Sequence, residues 1–269
     1  MAIIALHSGA TGLSAQNTAL DVIANNLANS NTNGFKASRT LFQDLLYLQR
    51  AQPGTENANG DQRPTGIYVG LGVKVSGTQV DFRTGSATPT QRELDIMIDG
   101  KGFFQVEIDP DVGEGLAYTR AGNFTLNSDR DLVLITDQGR KLEPNINIPA
   151  DATAVSISED GTVSAEIAGQ IQPQIIGQIQ IATFVNESGL KQIGENLYLP
   201  TVASGDAALG DPISDGRGSL LQGFVEGSNV DPVVELVNLI RTQRAFELNS
   251  QSIQAADEVL QTIGRLRRF

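Results

Sequence analysis

Apolar positions recur at a fixed interval in the first thirty residues. Leu6, Leu13, Leu20 and Leu27 stand seven apart, with Ile3, Ala10, Asn17 and Ala24 between them. Alternating steps of three and four predict a helix with one coiled-coil-like seam. Residues 3–29 would span roughly 40 Å in that form. Gly9 and Gly12 each weaken isolated helicity by about 1 kcal/mol relative to alanine, and small residues on the other faces let neighbouring helices approach closely.

The far end mirrors this pattern. Asp231 and Pro232 make a start signal, a capping acid followed by proline at the first helical position. Leu239, Phe246, Ile253 and Leu260 then repeat at seven, Thr242, Asn249, Ala256 and Ile263 complete the seam, and Leu236 and Ile240 widen it. Arg265, Arg267 and Arg268 lie at the C-terminal end, where positive charge suits the helix dipole. One such stripe alone fits an ordinary amphipathic helix packed on its own domain. Two stripes at opposite chain ends, both nearly neutral, predict helices that pair with each other and with other copies.

Between the ends the period changes to two. Leu94, Ile96 and Ile98 alternate with Asp95, Met97 and Asp99, and Ile179 and Ile181 alternate with glutamines. Val73 and Val75 flank Lys74, and Val155 and Ile157 flank Ser156. These read as half-buried strands, and Asp99-Gly100, Gly122-Asn123, Asp160-Gly161, Ser188-Gly189 and Asp215-Gly216 supply turns. The fold class is therefore α+β: paired long terminal helices and a central β-rich domain. The predicted organisation is a helical assembly domain from 1–35 and 228–269, a connecting segment at 36–71, and an outer β domain at 72–227. Within the connection, Gln49–Gly66 reads from its polar, Pro- and Gly-containing composition as a flexible linker.

Charge sharpens this division. The 269 residues carry a formal net charge of −12, yet residues 1–35 contain a single formal charge, Asp21, and residues 231–269 balance their acids and bases. Neutral ends around an acidic centre predict ends that meet protein and a centre that meets water. A basic nucleic-acid-binding face is not expected. With no cysteine, disulfides and thiolate chemistry are excluded. No run of 18 apolar residues predicts a membrane span. The opening "MAIIALHSGATGLSAQ" lacks the basic residue and the long apolar run of a secretory signal.

No motif carries catalysis, and no cofactor or metal is expected. "IDGKGFFQV" lacks the spacer and hydroxyl of a phosphate-binding loop and reads as a turn between strands. Gly70-Leu71-Gly72 lacks the third glycine of a dinucleotide fingerprint. "DPDVGEG" and "NSDRDL" place Arg120 and Arg140 where a calcium loop needs glutamate. The single histidine, His7, reads as a helix-surface residue. The enzymatic alternative is a periplasmic carbohydrate hydrolase, which would need two converging carboxylates.

One stretch is more specific. "ANNLANSNTNGFK" puts five asparagines into nine positions at the end of the first helix. Gly34 is the expected left-handed turn residue, Asn33 tolerates the same conformation, and Phe35 is placed to anchor the outgoing chain. Ala24, Asn25, Asn26, Leu27, Ala28, Asn29, Thr32, Gly34, Phe35 and Lys36 resemble the signature of bacterial flagellar rod and hook proteins. "IDGKGFFQV", "YTRAGNFTLNSDRDLV", "FVNESGLKQIGENLYLPT" and the segment from Leu220 to Leu260 continue the resemblance over nearly the whole chain. Within that family, the length and "FQDLLYLQRAQPG" look most like distal rod subunits rather than hook or proximal rod subunits, the alternatives. The resemblance implies a self-assembling, torque-transmitting tube with helices lining the inside and β domains outside. It implies export by the flagellar type III route without a cleaved leader, and a distal rod crossing the periplasm towards the outer membrane. Implied partners are other copies, proximal rod subunits, the hook, the P and L rings and the export apparatus. Residues 49–66, with Gln52, Pro53 and Gly54, would be a rod-specific stiffening insert. The expected assembly interface comprises Leu6, Leu13, Leu20, Leu27, Asn25, Asn26, Asn29, Leu239, Phe246, Ile253 and Leu260.

Overall fold

The computed structural model describes residues 2–55, 62–110, 115–170 and 172–266. The chain is α+β, with one helix at each end and β structure between. It divides into two compact units. The first combines residues 1–27, 38–79 and 231–269, and the second combines 28–37 with 80–230. The division thus falls at residues 79 and 80 rather than at Gly72, so the strand holding Val73 and Val75 belongs with the helices.

In the first unit, helix α1 spans Ala2–Ala28 and helix α2 spans Pro232–Leu266. Asp231 caps α2 as its sequence predicts: its Oδ1 accepts the amides of Val233 at 2.9 Å and Val234 at 3.2 Å. The helices run antiparallel, since Gly9 lies against Ile253 and Gly12 against Asn249. Added Cβ atoms would stand 2.7 Å from Ile253 Cγ1 and 2.9 Å from Asn249 Nδ2, so the two glycines set the approach. The buried stripe of α1 is Gly9, Gly12, Ala15, Ala19, Ile23 and Asn26. This corrects the predicted seam. Leu6, Leu13, Leu20 and Leu27 are only half-buried beside the stripe, and Ala10, Asn17 and Ala24 are exposed. Backbone proximity, which glycine and alanine permit and leucine does not, decides which face closes. Among the described residues of α2 none is buried.

The described residues of the connecting segment form strands rather than the linker read from composition. Strands β1 (Ser38–Asp44), β2 (Tyr47–Ala51), β3 (Ile67–Gly70) and β4 (Val73–Val80) form a two-stranded ribbon, β1 against β4 and β2 antiparallel to β3. Leu45 N to Gly72 O and Leu71 N to Leu46 O carry the ladder between the two pairs. It continues beyond Ala51, where Gly54, at φ +78°, donates to Arg63 O at 2.8 Å. Residues 56–61 of the predicted insert lie outside the described residues, as do 111–114 of "DPDVGEG", Arg267 and Arg268, and the side chain of Ile3. His7 sits on the exposed side of α1 and donates from Nδ1 to Leu71 O at 2.9 Å. Beside it Gly72, at φ +113°, presses so closely on the Thr11 hydroxyl that a side chain would collide with it.

The second unit is built on a seven-stranded antiparallel sheet. Its main path runs 191–194, 197–199, 116–119, 103–107, 181–183 and 208–210, with 142–143 also on 103–107. A three-stranded meander at 152–157, 162–167 and 174–178 turns through Asp160-Gly161. The "IDGKGFFQV" turn joins strand 96–99, which pairs with 219–222, to strand 103–107. The expected alternation at 94–99 gives way to burial on both faces: Asp95 and Met97 are covered as fully as Ile96 and Ile98. One core layer gathers Ile96, Ile98, Phe104, Phe124, Leu132, Leu134, Ile179 and Ile181. A second is aromatic. Phe82, Phe103, Tyr118, Phe184 and Tyr198 meet edge to face, with centroids 4.9–6.0 Å apart.

Candidate functional site

Two features stand apart from ordinary packing, one in each unit. In the helical unit it is uncovered apolar surface. Val233, Val234, Leu236, Val237, Ile240, Leu248, Val259 and Ile263 of α2 are exposed. Leu239, Phe246, Ile253 and Leu260, predicted at the interface, are half-buried. Leu236, Ile240 and Ile263, placed by sequence on the seam, instead face outward. On the ribbon Phe42, Leu46, Tyr47, Leu48, Ile67 and Tyr68 are exposed as well. A two-stranded ribbon is marginal in water, and this one leaves aromatic side chains uncovered.

Of the asparagines assigned to the interface, Asn26 is turned inward. It is 1% exposed, its Nδ2 donates to Ser38 O at 2.7 Å, and its Oδ1 accepts Ser38 N at 2.9 Å. It ties the end of α1 to the start of the ribbon within one chain, which corrects its placement between copies. Asn25 is exposed and Asn29 half-buried. Near it, on α2, burial raises Glu235 from its ordinary carboxyl value, and a hydrogen bond from Asn26 acts against that.

In the β unit the feature is a buried charge cluster. After α1 the chain makes a hydrogen-bonded turn, with Thr32 N on Asn29 O and Phe35 N on Thr32 O, both at 3.2 Å. Gly34 has φ +72°, and a Cβ there would lie 2.6 Å from Ala121 N, so the left-handed backbone and the close approach both exclude a side chain. Asn33 offers its carbonyl to Asn196 Nδ2 at 2.9 Å, and Gly34 N donates to Glu226 O at 2.7 Å. Phe35 is half-buried, and Lys36, next along, is the fully buried anchor.

Lys36 Nζ donates to Glu226 Oε1 at 2.6 Å and to Arg83 O at 2.8 Å. Gly85 N donates to the same carboxylate oxygen at 2.8 Å. The other oxygen, Oε2, faces Arg120 Nη1 at 3.6 Å, an ion contact outside hydrogen-bond range. Arg120 donates from Nη2 to Gly100 O at 2.8 Å, and its guanidinium lies 5.3 Å over the Phe103 ring. Lys36, Arg120 and Glu226 are each at most 1% exposed. Two cations thus share one carboxylate, and carbonyls and a ring face absorb the excess charge. Burial holds Lys36 below its ordinary value, with Glu226 opposing and Arg120 adding to the shift. Burial likewise lowers Arg120 against the pull of Glu226, and it pushes the Tyr198 phenol up.

Around this pair Asn229 makes a second cross-link. Its Oδ1 accepts Ala37 N at 2.7 Å, and its Nδ2 donates to Asp81 O at 2.7 Å and Arg83 O at 3.2 Å. Asp81 N returns to Ala37 O at 2.8 Å. No local pattern marks these residues, since Lys36 and Glu226 are 190 positions apart. The only sequence signal was that "GFK", "YTRAGNF" and "GFVEGSN" each belong to a stretch that carried the family resemblance.

Comparison with known proteins gives those stretches a common source. Residues 6–36 match the flagella basal body rod protein family, 97–165 the flagellar hook protein FlgE/F/G D1 domain, and 221–266 the flagellar basal body rod FlgEFG protein C-terminal region. The chain is 46% identical over 264 residues to the flagellar basal-body rod protein FlgG of Caulobacter vibrioides, covering 98% of this chain and 99% of that one. It is 43% identical to the FlgG of Bacillus subtilis, covering 98% of each, and 31% identical to the flagellar hook-basal body complex protein FlhP of that organism, covering 92% and 93%. Lys36, Arg120 and Glu226 lie respectively in the first, second and third matched regions. The chain belongs to the FlgG flagellar basal-body rod protein family.

Proposed function

We propose that the chain is a structural subunit of the distal rod, self-assembling through its terminal helices into a stiff tubular shaft that transmits torque. The observation that carries this is α2: 35 residues of helix with no buried position among those described, and a row of exposed valines, leucines and isoleucines. Such a helix is one side of an interface. Near-neutral ends fit the same reading, because a charge at a repeated dry contact is desolvated in every copy. The half-buried Leu6, Leu13, Leu20, Leu27, Leu239, Phe246, Ile253 and Leu260 would complete their burial against neighbouring copies, with Asn25 and Asn29 close by. The ribbon, with Gln52, Pro53 and Gly54 near its described tip, would lie between subunits and stiffen the wall. Proximal rod subunits, hook subunits, the P and L rings and the export apparatus are the partners this reading requires, in the periplasm and reaching the outer membrane.

Leu13→Asp and Phe246→Asp, each in the full chain, should leave the β unit folded by circular dichroism and abolish shafts in electron micrographs. Normal shafts from either variant overturn the proposal.

A further inference from the structure

Three of the places where the chain passes between its two units, at 37/38, 79/80 and 230/231, are flanked by residues of the buried cluster. Lys36 and Ala37 precede the first crossing, Asp81, Arg83 and Gly85 follow the second, and Glu226 and Asn229 precede the third. Side chains tie all three together: Lys36 bridges Glu226 and Arg83 O, and Asn229 bridges Ala37 N, Asp81 O and Arg83 O. Arg120, just past strand 116–119, faces the far carboxylate oxygen at 3.6 Å.

We propose that Lys36, Glu226 and Asn229, backed by Arg120, are positioning residues that fasten the three crossings to one another, so that load carried along one is shared by the other two. This rests on the shaft reading above. A single crossing strand rotates about its own φ and ψ; three cross-linked strands cannot do so independently. The chemistry suits the task. A buried ion pair is a poor source of net stability compared with apolar packing, but it fixes one geometry, because neither ion tolerates losing its partner. Burial also shields the pair from salt. Asn229 adds a planar amide that donates and accepts at once, which neither aspartate nor alanine reproduces.

The test uses the full chain carrying Asn229→Asp, Asn229→Ala or Glu226→Gln, with Arg140→Gln as a control that breaks a half-buried pair with Glu195 elsewhere in the unit. Hydrogen exchange is read at the amides of Ala37, Asp81 and Gly85 and compared with core amides of Phe104 and Ile181. The expected result is roughly tenfold or faster exchange at the amides around the altered cross-link, with the core within about twofold, no change with Arg140→Gln, and local protection in the unaltered chain that persists in about 1 M salt. Shafts should form in normal number but bend more, seen as a shorter persistence length in electron micrographs. Protection lost evenly across the core makes the cluster a fold stabiliser and overturns the proposal, as do shafts of unchanged stiffness. If Glu226→Gln does not fold, the two Asn229 variants decide. If the unaltered chain forms no shafts, the shaft reading falls, and local exchange alone decides whether the crossings are cross-linked.

Discussion

The two units close their surfaces in opposite ways. The β unit buries Phe103, Phe104, Phe124, Tyr118 and Tyr198 within a single chain, and even its charges are paired inside. The helical unit spends its closest contacts on glycine and alanine and leaves its larger apolar side chains half-covered or bare. A self-sufficient fold would bury its large apolar side chains together with its small ones. The inversion in α1 and α2 is what the proposed assembly would use, because it leaves the largest apolar groups of the helices uncovered. The β unit keeps its aromatic core covered and leaves scattered residues such as Ile175, Val185 and Val202 bare, whereas the helical unit leaves whole faces of α2 and the ribbon uncovered.

The comparison breaks first on matched aromatic deletions. Phe103→Ala should cost about 3–5 kcal/mol of unfolding free energy, since the cavity lies in a filled core. Phe246→Ala in α2 should cost only about 1 kcal/mol in the monomer, in proportion to the area it buries, yet sharply reduce self-association. Chemical denaturation with sedimentation at matched concentrations measures both. Equal losses of monomer stability would erase the distinction.

A smaller effect tests the seam. Gly9→Val places branched carbon where 2.7 Å already separates a bare Cβ from Ile253, and overpacking of this kind costs about 1–3 kcal/mol. Helicity and protease resistance of the two termini should fall together while the β unit is unmoved. If the termini are unaffected, the small-residue stripe is not what joins α1 to α2.

That stripe also shows what was legible in the sequence. The heptad period gave both helices, and Asp231-Pro232 gave the start of α2. The period did not reveal the closed face, because hydrophobicity points to leucine whereas helix approach is governed by side-chain size. The ribbon was hidden for another reason. "QRAQPGTENANGDQRPTG" has a linker's composition, and the structure of its described residues comes from backbone pairing, such as Gln49 with Tyr68 and Ala51 with Ile67. Strand 96–99 was readable as a strand but not as buried on both faces, since Asp95 and Met97 occupy polar-looking positions in the alternation. Gly34 was legible as a turn from its type and place. Lys36, Arg120 and Glu226 looked like unrelated members of three motifs, and only the fold brings them to one point.

The smallest expected effect lies in the acid range. Hydrogen bonds from Lys141 and Asn147 hold the Asp131 carboxyl at about 2, below the ordinary value of about 4. Between those values the unfolded chain binds the extra proton. The stability this group supplies is therefore complete above about pH 4 and lost as pH falls towards 2. Denaturation midpoints of the full chain should decline over that window, and Asp131→Asn should flatten that part of the decline. An unchanged slope in the variant would show that Asp131 is not its source.

The chain has no tryptophan and four tyrosines. Tyr118 and Tyr198 are sealed in the aromatic core, while Tyr47 and Tyr68 stand exposed on the ribbon. The protein therefore carries two native optical probes of different kinds. The inner pair reports whether the β unit is intact. The outer pair is open to quenchers in dilute solution and becomes shielded wherever another surface settles on the ribbon, so ultraviolet emission can follow joining and folding separately without a label.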